Sequence, residues 1–336
     1  MELPPIRNLF KGGKLVGKNV DSRAYHGQAP NVERGHPQFV LSRSELMLFA
    51  GNPQRWIDGY APKETDATEW GSLIDCLLLD KERLNDKFAL QPETQEATKT
   101  MQCVKEGEAC VGDQVPWSPT SSFAKQWNKE QIKAGKTIVK ASDYKDAQQA
   151  VEKVLKDPKA GELIRSSSFQ VMCVSTYYDA ATELSIPVKA LIDLVPALET
   201  PFQNGLADFK TARNGEPEEW RGVCEKRHYD VQAVMNLHVY EAATGEARED
   251  FRHIVQENEF PYSVGRRVLE SPTIAIGWMK MVSALELYAK CLKSNTWPGW
   301  DDMPWSDFSN FDGWTGVRPK DWTLVKYLGE GARRGI

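Results

Sequence analysis

Apolar residues recur along this chain first at helical and then at strand spacing. In LSRSELMLFAGNPQRW, Ser42 or Ser44 offers an N-cap ahead of an apolar run, and Gly51 and Pro53 stop it. Trp70, Leu73, Ile74, Leu77 and Leu78 fall on one face and predict a helix from Glu69 to Leu79. A third helical stretch begins at Ser142, its predicted cap. Tyr144, Ala147, Val151, Val154 and Leu155 form its stripe, and Pro158 interrupts it. The pattern changes at Phe169. FQVMCVSTYY and SIPVKALIDLV are rich in β-branched and aromatic residues, and the polar DAATEL between them predicts a hairpin. GLADFKT reads as a third strand and DFRHIVQEN as a fourth. Long helices are expected from Pro217 to about Ala243 and from Tyr262 to Leu292. The order helix, three strands, helix, strand, helix predicts an α/β fold, a mixed sheet flanked by helices.

Outside these elements the chain divides by composition. Residues 1–38 are rich in Gly, Pro and polar residues and read as irregular. Residues 91–139 are polar and read as a peripheral insertion on a domain spanning 39–300. Residues 301–336 form an aromatic and basic tail: the aromatic stretch 297–314 reads as a loop covering the core, or as a docking surface. Arg318, Lys320, Lys326, Arg333 and Arg334 outnumber the nearby acids. The apolar runs are all broken by charge before the roughly 18 residues that a membrane span needs. With no apolar signal core at the N-terminus, a cytoplasmic protein is expected. Cysteines 76, 103, 110, 173, 224 and 291 form no C-x-x-C pair, so neither a zinc knuckle nor a redox motif is expected. A net charge of −5 excludes a wholly basic nucleic-acid coat but permits a local basic groove.

The chemistry concentrates between Ile192 and Lys210. Asp208 and Lys210 are two residues apart on a strand, which puts both side chains on one face, with Phe209 turned into the core. Pairing with the preceding strand can bring Asp193 beside them. Two carboxylates and an ammonium suit metal-dependent phosphodiester hydrolysis. Asp193, Asp208 and the main-chain carbonyl of Phe209 would offer oxygen ligands to a hard cation such as Mg²⁺, with Mn²⁺ as the alternative. Lys210 would hold or deprotonate the attacking water and help neutralise developing charge. An ordinary solvated strand carries the same triplet by chance. Arg213, Arg221, Lys226, Arg227 and His228 alternate with acids and read as a charged helix, some of which would face phosphates. His238 and His253 read as satisfied structural histidines, and Met279, Met281, Leu285, Leu287 and Tyr288 as core.

The arrangement of Asp193 and Asp208-Phe209-Lys210 on a hairpin between helices resembles the PD-(D/E)xK nuclease superfamily. Further stretches are similar to the RecE-type exonucleases of phages and prophages: LSRSELMLFAGNPQRW, EWGSLIDCLLLD, KTIVKASDYKDAQQAVEKVLKDPKAGELI, KALIDLVP, ADFKTA, HYDVQAVMNLHVYEAA, VQENEFPYSVG and CLKSNTWPGW. They occur in order over residues 38–300. The resemblance implies a PD-(D/E)xK, restriction-endonuclease-like core with a mostly helical N-terminal region. It implies that Asp193, Asp208, Lys210 and Gln232 are catalytic and that Asp75, Asp193, Asp208 and Phe209 bind metal. Asp75 stands where the family usually has a histidine, and a surface acid is its other reading. Gln170 stands where a strand acid is often found, which weakens a second metal site. Gln232 shares a helix face with positions 229, 236 and 240 and would bond a phosphate, a base edge or water, or else cap a sheet edge.

The implied activity is a Mg²⁺-dependent exonuclease that digests linear double-stranded DNA from the 5′ end in a bacterial host cell. It would leave 3′ overhangs for a single-strand annealing recombinase. A homo-oligomeric ring enclosing the duplex is implied too, and would let an acidic protein present a positive channel. An endonuclease of the same superfamily and a catalytically inactive DNA- or protein-binding member are the alternatives.

Overall fold

The computed structural model describes residues 7–62, 66–99, 101–300, 302, 310–311 and 314–315. The basic segment 317–336 and most of 301–314 lie outside the described residues. A six-stranded mixed sheet forms the centre: β1 (Phe10–Gly17), β2 (Ser167–Asp179), β3 (Leu184–Pro196), β4 (Gly205–Ala212), β5 (Asp250–Glu257) and β6 (Val264–Val268), in that spatial order. All neighbours are antiparallel except β4 and β5, which run parallel. A parallel pair needs a crossover. Here it is made by α6 (Pro217–Lys226) and α7 (Tyr229–Thr244). The other main helices are α1 (Arg43–Gly51), α2 (Asp66–Leu79), α3 (Ser122–Lys133), α4 (Ala141–Lys156), α5 (Pro158–Arg165) and α8 (Ser271–Ser294).

Helices cover both sheet faces, so there are two cores. On one face α1, α7 and α8 bury Phe49, Val234, Leu285 and Tyr288 against Ile186, Ile192 and Leu206. On the other, α2, α4 and α5 bury Ile74, Val154 and Leu163 against Leu194, Phe209 and Ile254. Each such side chain stabilises the fold by about 1.5–3 kcal/mol through loss of apolar contact with water. Trp297 does cover the core, packing on Phe49, Trp56 and Tyr288.

Several expectations are corrected. The irregular N-terminus contains β1, an edge strand whose FKGGKLVG sequence is mostly exposed and so lacks strand alternation. The helix expected over 217–243 is two helices, broken where His228 turns the chain through φ +54°. The helix expected from Tyr262 begins only at Ser271, because Val264–Val268 pairs with β5 as a short edge strand. Ser142 is not a cap; the N-cap of α4 is Lys140, two residues earlier. Leu155 and Met279 are exposed, on the outer sides of their helices. The insertion 91–139 is built of two small ladders, Phe88–Leu90 with Thr137–Val139 and Thr94–Glu96 with Gln114–Pro116, plus α3.

Candidate active site

Strand register builds the site. Leu194 lies opposite Ala207 across the β3–β4 pair, which sets Asp193 opposite Asp208. Among the described residues that is the one ladder pairing between these strands, and beyond it they separate. The freed Phe209 N–H donates instead to the Asp193 carboxylate, Oδ2, at 3.2 Å. A side chain thus replaces a ladder carbonyl, and the splay leaves a notch in the sheet. On the other side of Asp193, β2 is kinked at Gln170, whose φ is +45°. Its side-chain amide donates to Asp193 Oδ1 at 3.4 Å. The position where an acid was expected therefore supplies a neutral donor that steadies Asp193.

Asp208 is fully buried. Gln232 Nε2 donates to its Oδ1 at 3.0 Å, and Lys210 pairs directly with its Oδ2. Lys210 also donates to the Phe209 carbonyl at 3.3 Å. Phe209 itself is buried on the opposite face, as strand alternation requires. Gln232 arrives on the first turn of α7, three residues after Tyr229. The Tyr229 ring lies 5.3 Å from the Lys210 ammonium, at cation–π distance. Gln232 is oriented in turn by Arg43 of α1, whose Nη2 donates to Gln232 Oε1 at 3.3 Å. Asp75, on α2 in the other core, is near enough for Lys210 and Asp208 to bear on its charge.

The electrostatics follow from crowding acids in a poorly solvated notch. Burial, and then the charge of Asp208, push Asp193 well above the usual carboxylate range. Burial pushes Asp208 the same way, but Lys210 and its other partners prevail and hold it low. Burial opposes the charge of Lys210, but Asp208 and Asp193 outweigh it and keep the ammonium. Asp75 is raised to about 7 by burial, with Lys210 opposing and Asp208 reinforcing. Of the two facing acids, Asp208 therefore holds its charge more readily than Asp193.

This donor set fits a hard divalent cation. Ionised carboxylates are acceptors only, so facing Asp193 and Asp208 require a proton or a cation between them. The Phe209 carbonyl adds a third oxygen. Among the described residues no three His, Cys, Asp or Glu side chains converge into a ready cage. The arrangement is a two-carboxylate one, the kind Mg²⁺ occupies while keeping several waters; Asp75 stands back from the pair.

Sequence reasoning missed three neighbours. Arg43, in a stretch quoted only for its helix, touches Gln232. Tyr229 sits over Lys210. His253 lies beside Asp208 in the β4–β5 register and is not a satisfied structural histidine: both its ring nitrogens are buried without a hydrogen-bond partner. It packs among Trp220, Tyr229 and Phe251, and burial drives its pKa down to about 4. The apolar surroundings in DFRHIVQEN gave burial but no sign of the aromatic box. His238 likewise has an unpartnered Nδ1. Arg213, Arg221, Lys226 and Arg227 are exposed on and around α6, and Arg221 pairs with Glu218.

Among solved structures, the chain is similar to the crystal structure of a "Putative exonuclease" from Eubacterium rectale. Identity is 12%, with 93% of this chain and 100% of that chain covered and a TM-score of 0.45. Rai1 of Scheffersomyces stipitis matches at 10% identity over 77% of this chain and 68% of its own, with a TM-score of 0.27. No curated protein matches. No described helix is long and apolar enough to cross a membrane. A family model, PDDEXK-like domain of unknown function (DUF3799), matches residues 40–301, which include strands β2 to β6, the splayed β3–β4 pair and every residue of the notch. The chain belongs to this PDDEXK-like family.

Proposed function

We propose that the protein is a Mg²⁺-dependent deoxyribonuclease, an exonuclease acting on linear duplex DNA. The observation that carries this is the notch itself: Asp193 opposite Asp208, with Lys210 on the same face and Gln232 bonded to Asp208. A bound divalent cation would supply charge neutralisation at the scissile phosphate and a water acidic enough to attack. Asp193, Asp208 and the Phe209 carbonyl would hold it, with Asp75 behind them. Lys210, kept protonated by its acidic neighbours, donates hydrogen bonds to the attacking water or a phosphate oxygen, a role for an ammonium rather than for a free base. Gln232 fixes the Asp208 carboxylate so that its second oxygen faces the notch. Digestion from the 5′ end, 3′ overhangs, a ring-shaped oligomer and an annealing partner follow from the RecE-type resemblance and complete the proposal.

The test is digestion of end-labelled linear duplex with Mg²⁺. Asp208→Asn and Lys210→Met are expected to reduce the rate by at least about 10²-fold, a transition-state loss of the order found for single charge-stabilising groups, with far-UV circular dichroism unchanged. Unreduced hydrolysis in either folded variant would refute the site.

A further inference from the structure

The insertion carries a charge pattern that the candidate active site does not explain. Residues 121–145 hold six lysines against Glu130 and Asp143, a net +4 inside a chain of net charge −5. Helix α3 packs on the insertion through Ala124, which is buried, and through Trp127, whose ring meets Trp117 edge-on at 5.5 Å. Lys125, Lys129 and Lys133 are exposed at spacing i, i+4, i+8. Successive steps of four residues advance about 6 Å and rotate only slightly, so the three ammonium groups form one stripe about 12 Å long on the side away from the packed face. None of the three makes an ion pair among the described residues. A row of uncompensated cations costs self-repulsion that a protein with an acidic excess elsewhere has no structural need for.

The chain leads from the stripe toward α2, the helix that carries Asp75. Past Gly135 the chain carries Lys136 and forms the strand Thr137–Val139, and Lys140 then shares a cleft of about 350 Å³ with Glu69, Trp70 and Leu73 of α2. Asp75 lies farther along that same helix. We propose that α3 is an arm that tracks the phosphate backbone of a duplex whose end enters the active site. Charge complementarity selects the occupant. Duplex DNA offers one charge per about 1.7 Å of axis, and each neutralised phosphate releases counterions. Single-strand sites present aromatic platforms for bases; here Trp117 meets both Trp127 and the half-exposed Phe123 edge-on, so the lysine stripe rather than a flat ring face is the ligand-facing feature of α3.

This inference rests on the nuclease reading, and its test separates the two. Duplex affinity is measured by fluorescence anisotropy in EDTA, where no hydrolysis intervenes, as salt is varied, for the wild type and for Lys125→Gln/Lys129→Gln/Lys133→Gln. The three side chains are exposed, so their removal leaves the packing intact, and circular dichroism checks the fold. The arm predicts at least a tenfold loss of duplex affinity near 100 mM salt and a log–log salt slope shallower by about 2.7, which is 0.9 for each of three contacts. Hydrolysis of bis(p-nitrophenyl) phosphate with Mn²⁺, a substrate too small to touch α3, should be unchanged. The control Lys11→Gln/Lys14→Gln/Lys290→Gln, on β1 and α8, should keep the wild-type slope. An unchanged slope in the α3 variant, or an equal loss in the control, overturns the arm. A wild type that hydrolyses neither substrate overturns the nuclease reading instead.

Discussion

At the scale of single residues, the site is a problem of two acids and one proton. Burial and Asp208 disfavour the charge of Asp193, so a cation entering the pair competes there with a proton. Metal affinity is therefore expected to rise with pH and binding to release about one proton. Calorimetric titration of Mg²⁺ in two buffers of different ionisation enthalpy measures both; a buffer-independent heat would contradict this competition. Asp75 gives a second test. Its folded pKa of about 7 is above its ordinary 3.8, so its contribution to stability is full below the ordinary value and is lost as pH rises through about 7. Asp75→Asn should raise the metal-free melting temperature by a few degrees at pH 8 and leave it unchanged near pH 4. An equal shift at both pH values would return Asp75 to an ordinary surface acid. Strand alternation made Asp208, Phe209 and Lys210 legible in the sequence, because a period of two needs no tertiary information. Gln170 as a donor, Arg43 behind Gln232 and the aromatic box around His253 were not legible, since each depends on contacts between segments distant along the chain.

At the scale of elements, the splay of β3 from β4 opens the notch, and the α7–α8 contact holds Gln232 over it. Gly277 of α8 sits against the Asp230 backbone of α7, where an added Cβ would come within 2.4 Å of the carbonyl oxygen. Backbone cannot yield as a side chain does. Gly277→Ala should cost about 1–3 kcal/mol in urea unfolding and slow hydrolysis by shifting α7. Gly222 of α6 has open space at that position, so Gly222→Ala should be neutral or stabilising by up to about 1 kcal/mol. Equal effects would place the strain elsewhere. The hairpin, β4 and β5 were readable as strands from runs of apolar and β-branched residues, and α2 and α4 from apolar stripes at helical spacing. β1 and β6 were not: they are short or exposed edge strands, defined by their neighbours. The break at His228 was hidden because the residues on both sides of it favour helix, and only the left-handed backbone at that point divides α6 from α7.

At the scale of the whole molecule, the proposed function requires an acidic chain to hold a polyanion. The proposed basic arm on α3 offers one means, and a ring of copies with a positive channel, as the RecE-type resemblance implies, offers another. An exonuclease that needs an end should degrade linear plasmid and spare covalently closed circles, as read on agarose gels; nicking or linearisation of circles would favour an endonuclease. Light scattering on a sizing column reports the oligomer, with a mass of a single 37.9 kDa chain counting against the ring. Beneath all of these lies the claim that Asp193 and Asp208 grip a cation. Its most direct test is anomalous diffraction from crystals soaked in Mn²⁺: the account predicts a peak between these two carboxylates and beside the Phe209 carbonyl, and a peak elsewhere, or none in the notch of a well-ordered crystal, would contradict it.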